Sequence, residues 1–139
     1  DGSFTEVGYL ENADRIEDGY IVAPVDIDND GRQDLVLRNT DPALEHRYNP
    51  VELLKSNQAN SKTACVRFSS ERSPFGVRVT AMVNNKKLVR EIRSVNGAVQ
   101  AEPIAMFGLG SADAAEDVTI HWPNGDKENL GTISNCHTP

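Results

Sequence analysis

The sequence predicts an all-β protein: an antiparallel β-sandwich, or a barrel-like domain, that follows an N-terminal β-hairpin segment and contains little helix. Short apolar runs bounded by Gly, Pro, Asn and Asp recur along the 139 residues. Turn signals spaced about 8–12 residues apart are typical of sandwiches and barrels. Several of these runs alternate apolar and polar residues, as strands with one buried face do. Helix signals are sparse by comparison.

Strands are predicted for residues 21–23, 35–37, 64–68, 77–83, 87–92, 105–107 and 118–122. Residues 77–83 alternate with period two, so their valines and Ala81 share one face while Arg78 points outward. In the returning strand, Leu88 and Ile92 share a face that Arg90 must also occupy. This conflict predicts either a bulged strand or a different assignment of its faces.

Turn and helix signals separate these strands. Asn84-Asn85 and the sequence Pro-Asn-Gly-Asp at 123–126 predict two hairpin turns, since Asn and Gly tolerate the positive φ that tight turns require. Asp41 and Pro42 predict a short helix over residues 41–48, because proline is favoured at the first helical position. Residues 111–116 predict a single helical turn.

Charge is unevenly distributed over a chain whose formal net charge is −7. Residues 1–46 hold 12 acidic and 3 basic side chains, residues 47–100 hold 3 and 10, and residues 101–139 hold 6 and 1. The acidic balance disfavours nucleic acid as a partner. No apolar run reaches the roughly 18 residues that indicate a membrane helix. The length predicts one domain, or a small domain with an appendage.

The two cysteines, Cys65 and Cys136, leave two alternatives open. A disulfide would fit an oxidising compartment, and two buried free thiols fit the sequence equally well. A Cys-x-x-Cys pair is lacking, which excludes a zinc ribbon or a thioredoxin motif.

Residues 26–34 have the spacing of a cation-binding loop. Carboxylates stand at positions 1, 3, 5 and 9 of the loop and glycine stands at position 6. Alternating hard oxygen donors suit Ca²⁺, which takes about six to eight oxygen ligands, and Arg32 at position 7 would contribute its backbone carbonyl. We therefore predict Ca²⁺ as the cofactor, with a metal site formed by Asp26, Asp28, Asp30, Arg32 and Asp34.

This loop differs from an EF-hand, because position 12 is Leu37 where an EF-hand has glutamate. Mg²⁺ is disfavoured because it seldom uses a cage made wholly of protein ligands. A surface acidic turn without metal is the alternative, although four close carboxylates would repel one another.

Residues 26–34, with Val22 before them and the apolar run 35–37 after them, resemble the calcium loop of the FG-GAP and VCBS repeats of integrin-like β-propellers. Residues 4–7 and 49–57 resemble the start of the last repeat and the strand that closes it. The resemblance implies a structural metal, and a repeat segment over residues 1–58. One repeat cannot close a propeller, so we expect a C-terminal piece of a longer chain, with the hairpin docked on the sandwich.

Residues 59–139 resemble the ASPIC and UnbV domain in four motifs that occur in order. The motifs are Gly-Val-Arg-Val-Thr at 76–80, Arg-Glu-Ile-Arg-Ser at 90–94, Phe-Gly-Leu-Gly at 107–110 and Val-Thr-Ile-His-Trp-Pro-Asn-Gly at 118–125. Residues 73–76 and 97–102 depart from the family pattern, so a ligand bound at that rim would differ or be absent in this chain.

Together these resemblances imply a secreted, periplasmic or cell-surface protein that is a calcium-binding, non-catalytic adhesion or interaction module and not an enzyme. The expected partner is an extracellular protein or polysaccharide, or the upstream propeller of a longer chain, with neither nucleic acid nor a membrane span. The alternative is a carbohydrate-binding β-sandwich accessory to an enzyme, suggested by Trp122 and the basic strands.

Other candidate residues fit ordinary structural roles. His46, His121 and His137 lack metal-ligand spacing, and His121 is expected to be an exposed strand residue. Trp122 is expected to pack beneath its hairpin. Residues 108–113 begin like a dinucleotide loop without its third glycine, which predicts a tight turn.

Overall fold

A computed structural model of the protein describes residues 3–8, 10, 18–28, 30–40, 51–57, 62–69, 72–96, 99–100 and 102–139. These ranges contain strands and no helix. In chain order the strands are β1 (Asp18–Val25), β2 (Asp34–Thr40), β3 (Val51–Leu54), β4 (Thr63–Arg67), β5 (Arg78–Val83), β6 (Lys86–Glu91), β7 (Val95–Asn96), β8 (Val99–Gln100), β9 (Ile104–Gly108), β10 (Ala115–His121), β11 (Lys127–Ile133) and β12 (Cys136–His137). The helix predicted over residues 41–48 lies outside the described residues.

Two sheets form the predicted sandwich. One has four strands in the order β11-β10-β5-β6, and the other has three in the order β12-β4-β9. Their strand pairs are antiparallel except for β12, which runs parallel to β4. The all-β prediction is therefore confirmed, and no sheet within the described ranges closes into a barrel.

The core lies between these two sheets. Val79, Ala81 and Val83 of β5 point inward, as their alternation predicted, and they pack with Phe107 of β9 and Ile120 of β10. Each of these side chains is buried. Complete burial of one Val, Ile or Phe side chain favours folding by about 1.5–3 kcal/mol, so the alternating pattern itself fixes which face of β5 turns inward.

Arg90 occupies the inner face of β6, and the strand pairing there is regular. Arg90 lies opposite the buried Val79 in an unshifted ladder, so the predicted bulge is wrong and the face assignment is correct. Its Nε donates a hydrogen bond of 2.8 Å to the carbonyl of Met106, and its guanidinium lies 5.4 Å from the ring centroid of Phe107. The long aliphatic stem covers the margin of the core while the charge stays accessible.

The predicted hairpin turns are confirmed. Asn84 and Asn85 adopt φ of 48° and 61° between β5 and β6, the two positive values that a type I′ turn requires. Gly125, with φ of 95°, closes the turn between β10 and β11. The helical turn predicted over 111–116 is wrong, because β10 already begins at Ala115, which is buried and pairs with Ile133.

A third sheet, in the order β1-β2-β3, carries the acidic loop. β1 and β2 form an antiparallel hairpin that ends at the pair Val25–Asp34, and β3 joins the far side of β2. Leu37 of this sheet is buried, whereas Val22, Val51 and Leu53 are exposed. This three-stranded sheet therefore places residues 26–33 at one of its ends.

A disulfide joins Cys65 of β4 to Cys136 of β12 across 71 residues of sequence. It resolves the alternative that the sequence left open. None of the described residues forms a helix long and apolar enough to cross a membrane.

Loss of this disulfide is expected to destabilise the sandwich. A crosslink that closes 71 residues limits the unfolded chain, and the loop-entropy relation gives about 4 kcal/mol for a loop of this size. The Cys65→Ala/Cys136→Ala variant should therefore unfold at a lower urea concentration than the oxidised protein. An unchanged urea midpoint, with the parent protein shown to be fully oxidised by mass spectrometry, would contradict this role.

Candidate metal centre

The acidic loop is folded by its own first carboxylate. Asp26 is 4% exposed, and its Oδ1 and Oδ2 accept hydrogen bonds from the backbone N–H groups of Asp30 (3.0 Å) and Gly31 (3.1 Å). Gly31 has φ of 83°, a conformation that glycine adopts without steric cost. The loop therefore wraps around the position-1 side chain before β2 begins.

Three of the four predicted carboxylates converge. Asp26, Asp28 and Asp30 each offer an oxygen, and these oxygens all lie within 4.8 Å of one another. Two oxygens bound to the same Ca²⁺ at 2.3–2.6 Å can be at most about 5 Å apart. The three carboxylates therefore fit a common divalent cation, and their hard oxygen donors suit Ca²⁺.

Asp34, the fourth predicted carboxylate, braces the loop against β3. It is 1% exposed, and its Oδ1 accepts a 2.8 Å hydrogen bond from Ser56 N while its Oδ2 accepts one of 3.3 Å from Ile27 N. One of these backbone donors lies in the acidic loop and the other in the segment after β3, and Asp34 satisfies both. Asp34 thereby ties the start of the acidic loop to the segment that follows β3.

Arg32, whose carbonyl was predicted as a ligand, folds its side chain back over the loop. Its backbone N–H donates a hydrogen bond of 2.9 Å to Asp30 Oδ1, and its guanidinium pairs with Asp30 Oδ2. Its Nε is buried and has no hydrogen-bond partner in the described part of the chain.

Cations from outside the loop neutralise the other two carboxylates. Lys55 Nζ lies 2.7 Å from Asp28 Oδ2, and this hydrogen bond lowers the pKa of Asp28 and raises the pKa of Lys55. Arg67 of β4 lies 3.7 Å from Asp26 Oδ2 and 2.8 Å from Glu102 Oε1. The guanidinium of Arg67 therefore connects the acidic loop to the sandwich.

These partners were missed at the level of sequence. Ser56 lies 22 residues from Asp34, and Arg67 lies 35 residues from Glu102. No local sequence pattern predicts contacts over such separations. The available signal was the opposite charge of residues 1–46 and 47–100, which favours attraction between the two regions.

Trp122 packs beneath its hairpin, as expected. It is partly buried against the core and meets Phe68 edge-to-face at 5.8 Å between ring centroids. The Arg72 guanidinium lies 3.7 Å from the indole centroid, in the range of a cation–π contact. Since Arg72 covers one face of the indole, that face is not open as a platform for a sugar ring.

His121 is half-buried on the outer face of the four-stranded sheet, so the expectation of an exposed side chain is wrong in degree. It stands between Arg78 and Lys127 on the neighbouring strands, and its Nε2 lies 3.2 Å from Thr80 Oγ1. Burial, and then the charges of Lys127, Arg78 and Lys87, lower the pKa of His121.

His137 is exposed on β12, and His46 lies outside the described residues.

Comparison with known proteins identifies one matching family and one similar protein. The family described as ASPIC and UnbV matches residues 68–138, a little over half of the chain, and this range contains all four predicted motifs. Cartilage acidic protein 1 of Homo sapiens is 29% identical over 105 residues, which cover 72% of this chain and 15% of that protein. This chain thus spans a small part of that relative's length. No solved structure matches this chain.

Replacement of Asp34 is expected to destabilise the fold with or without calcium. Asp34→Ala leaves the N–H groups of Ile27 and Ser56, whose hydrogen bonds are part-buried, without their buried acceptor, which costs on the order of 1–2 kcal/mol. The matched Asp28→Ala variant removes an exposed carboxylate, so in chelator it should unfold at nearly the parental urea midpoint. Equal losses for both variants in chelator would contradict the bracing role of Asp34.

The stability of the protein is expected to decrease as the pH decreases, because His121 titrates differently in the folded and unfolded chain. Its pKa in the folded state lies below the ordinary 6.5, so between these values the unfolded chain binds a proton that the folded chain does not. The free energy of unfolding therefore decreases as pH falls through 6.5 and levels off below the folded-state pKa.

His121→Gln should remove this component, whereas His137→Gln, at an exposed position, should keep it. Urea unfolding of the three proteins at several pH values between about 7.5 and 5 measures the difference. If the slope of stability against pH were the same in His121→Gln as in the parent, His121 would not be its source.

Proposed function

Because this chain belongs to the ASPIC and UnbV family, we propose that it is a calcium-stabilised, non-catalytic interaction module of a secreted or cell-surface protein. The disulfide between Cys65 and Cys136 supports an oxidising compartment. The similar protein's name refers to cartilage, which agrees with an extracellular setting. Interaction is proposed in place of catalysis because no catalytic motif is recognisable in the sequence.

One observation carries the calcium assignment: oxygens of Asp26, Asp28 and Asp30 lie within 4.8 Å of one another at alternate positions of a strand–loop–strand. Carboxylates this close disfavour joint ionisation unless positive charge lies among them. Lys55 and Arg32 supply such charge through single side chains. A Ca²⁺ ion supplies two charges at one point and takes their place at the carboxylates.

We propose that the ion is structural and acts where the acidic loop meets the sandwich. Asp26 is linked through Arg67 to Glu102 on the sandwich side. The loop also approaches β4 closely, since a Cβ placed on Gly31 would lie 3.8 Å from the Cβ of Thr63. An ion held by Asp26 therefore stabilises the loop and, through these contacts, its position against the sandwich.

We further propose that residues 1–58 are the last repeat of an FG-GAP/VCBS-type propeller and that upstream repeats are one partner of this module. Val22, Val51 and Leu53 of the three-stranded sheet are exposed. Blades of a propeller bury such apolar faces against their neighbours, which supports this arrangement. The second proposed partner is an extracellular protein or polysaccharide.

Calcium is expected to raise the melting temperature of this protein. An ion that binds only the folded state adds about 2.7 kcal/mol to its stability at 100 times the dissociation constant. The measurement is a thermal melt in chelator, in Ca²⁺ and in Mg²⁺, with the largest shift expected in Ca²⁺.

Asp28→Asn/Asp30→Asn should abolish the calcium-dependent shift because it removes two of the converging carboxylates. Asp113→Asn/Asp126→Asn removes two exposed carboxylates elsewhere and should leave the shift intact. Identical melts of the parent protein in calcium and in chelator would reject the calcium assignment.

A further inference from the structure

Six of the twelve basic side chains among the described residues form ion pairs with carboxylates. Ion pairs are formed by Arg32, Lys55, Lys62, Arg67, Arg72 and Arg93. Arg78, Lys87 and Lys127, in contrast, form no ion pair with any residue that the structure describes, and all three project from the four-stranded sheet. Among the described residues, five of the six basic side chains without an ion pair lie on the four-stranded sheet, and the sixth, Arg38, lies on β2.

Strand register places these three cations on the outer face of that sheet. Lys127, His121 and Arg78 lie side by side on β11, β10 and β5. The next outward row contains Asn129, Thr119, Thr80 and Val89. One row further along, Met82 stands between Glu116 and Lys87. The cations therefore flank a row that contains hydroxyl and amide side chains.

A groove of about 380 Å³ runs along this face. Its lining includes Thr80, Met82, Lys87, Thr119 and Lys127, and Asp117 is the one carboxylate among its described lining residues. The charges that lower the pKa of His121 after burial are all positive, which indicates positive potential at the centre of the groove. Glu91, at the margin of the face, is paired with Arg93 at 3.3 Å.

The spacing of the cations selects the kind of anion that fits. Lys127 and Arg78 lie two strands apart, a separation of roughly 10 Å, and Lys87 is displaced from Arg78 by four residues along the strands, or about 13 Å. A single sulfate or carboxylate cannot reach both ends of such a face. The matching ligand carries several anionic groups along its length and offers hydroxyls between them.

We propose that the outer face of the four-stranded sheet binds a sulfated polysaccharide, with sulfate groups at Lys87 and at the pair Arg78 and Lys127. Sugar hydroxyls lie against the hydroxyls of Thr80 and Thr119 between these ends. Nucleic acid fits poorly, because the described residues of this face include no Phe, Tyr or Trp to form a stacking platform for successive bases. The surface shares no residue with the acidic loop, so it goes beyond the proposed calcium function and does not depend on it.

The test measures binding of immobilised dextran sulfate and of unsubstituted dextran. Lys87→Gln/Lys127→Gln should bind dextran sulfate at least tenfold more weakly than the parent and should reduce the salt dependence of binding by roughly two counterions, one for each lost contact. The matched control is Lys86→Gln/Lys62→Gln, which changes the net charge equally. Lys86 is adjacent to Lys87 but lies opposite the buried Val83, so the control should bind like the parent.

Thermal melts of both double variants establish that each is folded, and the single variants Lys87→Gln and Lys86→Gln repeat the comparison if either double variant is not. Equal weakening by the two doubles would overturn the proposal, since it would reflect net charge alone. Equal binding of unsubstituted dextran would overturn the role of sulfate. Binding of polyglutamate as tight as that of dextran sulfate would reassign the face to acidic proteins.

Discussion

Repulsion among the carboxylates of residues 26–34 is the constraint on which the N-terminal half of this structure depends. Three of these carboxylates converge, and each meets a cation from a different part of the chain: Arg32 within the loop, Lys55 after β3, and Arg67 on β4. Electrostatic neutralisation therefore links a local turn to a neighbouring strand end and to the sandwich. A bound divalent ion would take the place of Arg32 and Lys55 at these carboxylates and leave the link through Arg67 to the sandwich.

The sandwich, by comparison, is held by apolar burial and one covalent bond. Phe107, Ile120 and the inward valines of β5 fill the space between the sheets. The disulfide holds the short strand β12 beside β4, a parallel pairing that two residues of strand would stabilise only weakly. The two halves of the chain thus rely on different forces, and salt concentration should affect them unequally.

Local patterns sufficed to predict much of this fold, because period-two alternation and turn residues act over a few residues. They gave β5, β10 and the turns at Asn84-Asn85 and Gly125. They also gave the convergence of the acidic loop, since loop spacing alone brings alternate side chains together. Contacts between distant segments were out of reach, including the pairing of Asp34 with Ser56 and the parallel strand β12. The boundary at residue 58 stays a prediction, because residues 58–61 lie outside the described ranges.

Arg90 has a further consequence for how the sandwich meets other molecules. An unpaired strand edge is a template for aggregation, and natural sheets protect such edges with charges, bulges or a covering segment. Arg90 caps a carbonyl on the free edge of β9, β12 covers the edge of β4, and Gly131 marks an irregularity in the edge strand β11. Strand addition to the sandwich is thereby discouraged at the edges of β9, β4 and β11.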